Sequence, residues 1–147
     1  AARKVGRELL VEIIAGKNGP LDDNTIARAL SELYGLGIKP DWWKLEPQVS
    51  AKAWENIAKV IAANDPYCRG IVMLGLEAPE EELAKGFAAA AKCKAVKGFA
   101  VGRTIFNHAA PLWLAGKMSH EAAVADMAGR FASLVKLWQD ARHKDAS

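Results

Sequence analysis

Short β-rich runs alternate along this chain with longer stretches in which apolar residues return every three or four positions. The first run is Glu8-Leu9-Leu10-Val11-Glu12-Ile13-Ile14, stopped by the turn residues Gly16-Lys17-Asn18-Gly19-Pro20. Asp22 or Asp23 is placed to cap a helix with apolar positions Ile26, Ala29, Leu30, Leu33 and Tyr34, which Gly35 and Gly37 end. The second run, Asp41-Trp42-Trp43-Lys44-Leu45-Glu46, closes at Pro47. Ser50 then caps a helix carrying Ala53, Trp54, Ile57, Ala58 and Ile61, broken by Asn64-Asp65-Pro66. The third run, 70–76, is almost wholly apolar, as a strand of a parallel sheet buried on both faces would be. Pro79 and three Glu open the next helix, with Leu83, Phe87 and Ala90 on its apolar side. The fourth run is 96–101. Gly102-Arg103-Thr104 leads into a helix with Ile105, Phe106, Ala109 and Leu112, and a last long helix runs from the Ser119 cap to about Ala141.

Strand and helix alternating at roughly 30-residue spacing is the signature of βαβ units and a parallel sheet. An open doubly wound sheet and a barrel segment both fit that alternation. Two features favour the barrel. The strands exit into charged or Gly-rich turns, at the end where barrel active sites form. Glu12 and Lys44 sit inside strands, where helices on both faces would bury them, whereas a barrel mouth keeps them wet. A full (β/α)8 barrel has eight strands in about 250 residues, so the pattern predicts half of one: an α/β chain of four parallel strands, each followed by a helix. Such a half exposes two sheet edges and an apolar inner face. It is expected to be completed by another half-barrel or by a second copy of itself, and the start at Ala1 in place of Met is read as a piece of something longer.

Composition narrows the function classes. Of 147 residues, 51% are hydrophobic and 25% charged, the balance of a folded globule. The net charge of +3 is spread among both signs, with no basic stripe for nucleic acid. No apolar run is long enough to span a membrane, and Glu8 and Glu12 interrupt what would be a signal-peptide core. Cys68 and Cys93 fit neither a disulfide framework nor a metal spacing, which makes a reducing cytoplasm the expected setting.

Chemistry has few candidates. Alternation places Trp42, Lys44 and Glu46 on one face of the second strand. A lysine desolvated among aromatics loses its proton more easily, and its neutral amine attacks carbonyls; a rim lysine in a structural ion pair fits the same spacing. Glu46 is placed to move protons or hold the ammonium form. Glu12, flanked by apolar residues, is a candidate general acid or base, or the ion-pair partner of Lys44. Gly102-Arg103-Thr104, at a strand-to-helix turn, suits a phosphate group, although a solvent-facing arginine fits too. Glu77, at the exit of the third strand, is a candidate rim residue. Lys97 is a rival amine near the start of its strand. No His/Cys/carboxylate spacing indicates a metal, and no cofactor is expected.

The strings Leu10-Val11-Glu12-Ile13, Trp42-Trp43-Lys44-Leu45-Glu46-Pro47, Gly75-Leu76-Glu77-Ala78-Pro79 and 98–106 closely resemble the C-terminal half of the aldolase-like domain of bacterial myo-inositol catabolism. That domain is often fused behind a 5-dehydro-2-deoxygluconokinase and is similar to class I tagatose-bisphosphate aldolases. The resemblance covers nearly the whole chain, 1–147. It implies strands five to eight of a barrel and retro-aldol cleavage of 2-deoxy-5-keto-gluconate 6-phosphate to dihydroxyacetone phosphate and malonate semialdehyde. It further implies that Lys44 is the Schiff-base lysine, Glu12 the acid/base carboxylate and Arg103 the phosphate binder. Gly75-Leu76-Glu77 departs from the Ser-Ala-Gly-like strand end of those aldolases, which alters the pocket. The alternative is a non-catalytic aldolase-like domain that regulates or assembles a fused sugar kinase.

Overall fold

The computed structural model describes residues 1–48, 50–75 and 80–144. Four strands form one sheet in the order β1 (Leu10–Ile13), β2 (Trp42–Leu45), β3 (Gly70–Met73) and β4 (Val96–Phe99). All neighbours are parallel, and each strand pairs with the next in sequence. A doubly wound sheet would interrupt that order, and this one does not. The helices are α1 (Thr25–Gly35), α2 (Ala51–Asn64), α3 (Glu80–Ala91), α4 (Arg103–Phe106), α5 (Ala109–Leu114) and α6 (His120–Lys144).

Alternation decides which residues meet the helices. Trp43, Leu45, Ile71 and Met73 point to one side and are fully buried against Ile26, Leu30 and Tyr34 of α1, Trp54 and Ile57 of α2, and Leu83 and Phe87 of α3. These form one contiguous core with Leu134 of α6. Neighbouring helices pack in turn, α1 on α2, α2 on α3 and α3 on α6, so a single helical layer covers a single face of the sheet. The other face carries Leu10, Glu12, Trp42, Lys44 and Val72, all at least partly exposed. Four parallel strands, each followed by a helix, with helices on one side only, make a partial β/α-barrel arrangement. Among the described residues β1 and β4 each have an unpaired outer edge, and this half-barrel fits a complementary half or a second copy.

Local signals explain most boundaries. The Ser50 hydroxyl accepts the Ala53 N–H at the start of α2. Ser119 does the same for Ala122 ahead of α6. The cap of α1 is Asn24, not Asp22 or Asp23, but Asp22 serves the same end: its carboxylate accepts from the Asn24 N–H and the Thr25 hydroxyl. Those bonds, with Arg28, hold the Asp22 carboxyl down to about 2.

One helix differs from the pattern. The stretch after Gly102 reads as continuous through Leu112, yet α4 stops at Phe106 and α5 begins at Ala109. Pro111 supplies the reason. It has no N–H to donate to the carbonyl of Asn107, so a continuous helix would lose that bond, while the first turn of a new helix accommodates proline. None of the helices among the described residues is long and apolar enough to cross a membrane.

Candidate active site at the C-terminal end of the sheet

Lys44 and Glu12 are direct cross-strand partners in the β1–β2 register. Both therefore stand on the open face at the same height, and the Lys44 Nζ lies 3.4 Å from Glu12 Oε2. The side chains are 24% and 40% exposed, so the pair is half-wet and a ligand can reach it. It lines a cleft of about 270 Å³ at the C-terminal ends of the strands. The opposite wall is the exit of β4, Ala100 to Thr104 with Phe106, and Leu74 and Gly75 form the floor beyond β3. Lys44, Glu12, Gly102, Arg103 and Thr104 thus converge on one space, at the end of the sheet where β/α barrels carry their active sites. A shallower hollow of about 390 Å³ between α1 and α2 collects no comparable chemistry.

Other candidate residues lie elsewhere. The alternation that would put Glu46 beside Lys44 ends with β2 at Leu45. Glu46 is 2% exposed, and its two carboxylate oxygens accept the Gly16 N–H, each at 3.0 Å. A Cβ at residue 16 would stand 3.1 Å from Glu46 Oε2, so glycine permits this approach. The carboxylate ties the β1–α1 loop to the exit of β2 and lies outside the cleft lining. Trp43 does not flank the Lys44 amine. It faces the helices, where its Nε1 donates to the Tyr34 hydroxyl at 2.8 Å, and only Trp42 shares the Lys44 face. Lys97 stands at a register irregularity between β3 and β4, and its Nζ donates to the Lys94 carbonyl away from the cleft. Glu77 lies outside the described residues.

The cleft walls supplied by Ile14, Val101 and Phe106, and the floor at Gly75, escaped the sequence pattern. Gly75 had a signal, its place at a strand exit. The wall residues had none, because nothing local in sequence brings 14 and 106 together.

Burial pushes the Tyr34 hydroxyl up to about 12, and burial likewise raises the Cys68 thiol. On α6, the hydrogen bonds from Arg130 lower the Asp126 carboxyl, which also pairs with His108 Nδ1 at 3.1 Å. Both cysteines are free thiols. Among the described residues no group of three His, Cys, Asp or Glu side chains is placed to hold a metal.

No curated protein and no solved structure matches the chain significantly. A family model does match, over residues 1–142, and the chain belongs to that family, described as an uncharacterized protein conserved in bacteria (DUF2090).

Proposed function

We propose that this domain, once its inner face is completed, is a class I (Schiff-base) aldolase acting on a phosphorylated ketose. The observation that carries the reading is the Lys44–Glu12 pair at 3.4 Å in the cleft that Arg103 also lines. A buried structural ion pair would need no access. This one is half-exposed, and an arginine that suits a phosphate stands across from it.

Each step uses these residues. Glu12 takes a proton from the Lys44 ammonium, the neutral amine attacks the ketone carbon, and Glu12 returns the proton to the carbinolamine hydroxyl, which leaves as water from a protonated imine. With 2-deoxy-5-keto-gluconate 6-phosphate the ketone is C5. Glu12 accepts the proton of the C3 hydroxyl, the C3–C4 bond breaks, and the electron pair moves into the protonated imine. Malonate semialdehyde departs. Protonation of the enamine at C4 and hydrolysis of the imine release dihydroxyacetone phosphate and restore the amine. Arg103, with the Thr104 N–H, binds the phosphate and fixes the ketone within reach of Lys44. Glu46 acts at one remove, by fixing the β1–α1 loop through Gly16. The missing half-barrel, or a second copy, supplies the remaining substrate contacts, and a sugar kinase fused ahead of the domain would place it in inositol catabolism in the cytoplasm.

The second reading, a non-catalytic assembly domain for such a kinase, draws on the same pair, since a Lys–Glu bridge can be structural alone. Borohydride trapping separates the two. Reduction in the presence of dihydroxyacetone phosphate, followed by peptide mass mapping, should find the adduct on Lys44. Lys44→Arg, which keeps the charge but forms no imine, should abolish it, and Lys97→Arg should not. An adduct on Lys97, or none on the complete protein, sinks the aldolase reading.

A further inference from the structure

The floor of the cleft holds a contact that the chemistry above does not use. Gly75 is buried where the chain leaves β3, and the β4–α4 turn rests directly on it. A Cβ built on residue 75 would stand 2.7 Å from Val101 Cγ1 and 2.9 Å from Thr104 Oγ1. Both distances are shorter than real carbon contacts allow, and both atoms belong to short branched side chains that have few ways to retreat. Any side chain at 75 therefore lifts the turn, and with it Arg103.

A second observation marks the same spot. Thr104 Oγ1 is shut off from water and has no hydrogen-bond partner among the described residues. An unsatisfied buried hydroxyl is unfavourable. The turn itself is held by the Ile105 and Phe106 N–H groups on the Gly102 carbonyl, so it rests on Gly75 as a preformed unit, with the Thr104 hydroxyl closed against the seat.

We infer that Gly75 is a positioning residue for the phosphate of the ligand: its missing side chain sets how deep the Val101–Thr104 turn lies, and so the distance between the phosphate held at Arg103 and the amine of Lys44. The inference rests on the aldolase reading for the ligand, for the phosphate site at Arg103 and for the amine of Lys44. The depth of the seat would select phosphorylated over unphosphorylated ketoses, because only the phosphate is anchored through the turn.

The test compares two probes on the intact protein. Inorganic phosphate binding is measured by calorimetry, and borohydride trapping on Lys44 is measured with unphosphorylated dihydroxyacetone. Gly75→Ala should weaken phosphate on the order of tenfold and reduce trapping of dihydroxyacetone by much less. Adding Val101→Ala removes Cγ1, the nearest obstacle, and should recover most of the lost affinity. A merely structural role for Gly75 would reduce both signals together. Should Gly75→Ala not fold, Val101→Ile crowds the same contact from the turn side and should weaken phosphate several-fold. The inference is overturned if the parent does not bind phosphate, if Gly75→Ala binds it equally well, or if Val101→Ala recovers nothing. Failure of trapping in the parent, with the phosphate effects intact, overturns the role of Lys44 and leaves that of Gly75 standing.

Discussion

The two faces of the sheet are built from the same four strands and share almost no physical character. The outer face presents Trp43, Leu45, Ile71 and Met73, all sealed beneath helices. The inner face presents Leu10, still 46% exposed, with Trp42, the Lys44–Glu12 pair and Val72. A strand alternates its side chains, so β2 carries a core residue and an inner-face residue in every consecutive pair, with Lys44 the one that reaches the cleft. Stability is thereby concentrated on odd positions of β2 and chemistry on even ones. A change on either face should leave the other's property nearly untouched, and that separation can be tested.

The largest loss is expected from the outer layer. Trp54 is buried against the sheet, and its Nε1 donates to the Gln48 carbonyl. Trp54→Ala should cost about 3–5 kcal/mol, read as a lower urea midpoint. Next comes Tyr34→Phe, which strands the Trp43 Nε1 donor inside the core. About 1–3 kcal/mol is expected. The parent should also lose stability as pH rises. The Tyr34 hydroxyl titrates near 12 when folded and near 10 when unfolded, so its contribution is complete below pH 10 and disappears as pH climbs through 12. Tyr34→Phe should flatten that part of the profile. Ser50→Ala removes the cap of α2 for about 1 kcal/mol. The smallest effect belongs to the inner face: Lys44→Met breaks a half-exposed ion pair and should shift stability by less than about 1 kcal/mol. A multi-kilocalorie loss from Lys44→Met would show that the inner pair holds the fold together, and the two faces would then not be separable.

Periodicity made the fold legible. Residues 51–64 announce α2 by spacing and cap, and the four runs fall on the four strands, although each ordered strand is only four residues long. Strand order was legible because polar residues inside strands argued for an open mouth. The break between α4 and α5 went unread, since Pro111 sits where either one helix or two could be drawn. At the site, alternation put Lys44 on the face of Trp42 and put Glu46 there too, but it says nothing beyond the last paired residue, Leu45; Glu12 entered as a possible ion-pair partner of Lys44. The contact of Glu46 with Gly16 spans thirty residues of sequence, and the packing of Val101 and Thr104 on Gly75 spans nearly as many. Local pattern carries no information on either.

The order β1-β2-β3-β4 has a consequence for synthesis. Within this sheet each of β2, β3 and β4 finds a partner in the strand that left the ribosome just before it. Each completed βα unit can therefore dock on its predecessor as it emerges, keeping long-range loop closure out of the folding barrier. Ribosome-arrested chains of increasing length should gain protease resistance in steps, one per unit; a single step at full length would refute this. The growing sheet always has two exposed edges, the newest strand and the outer side of β1, so a chaperone guarding this chain would need to shield both.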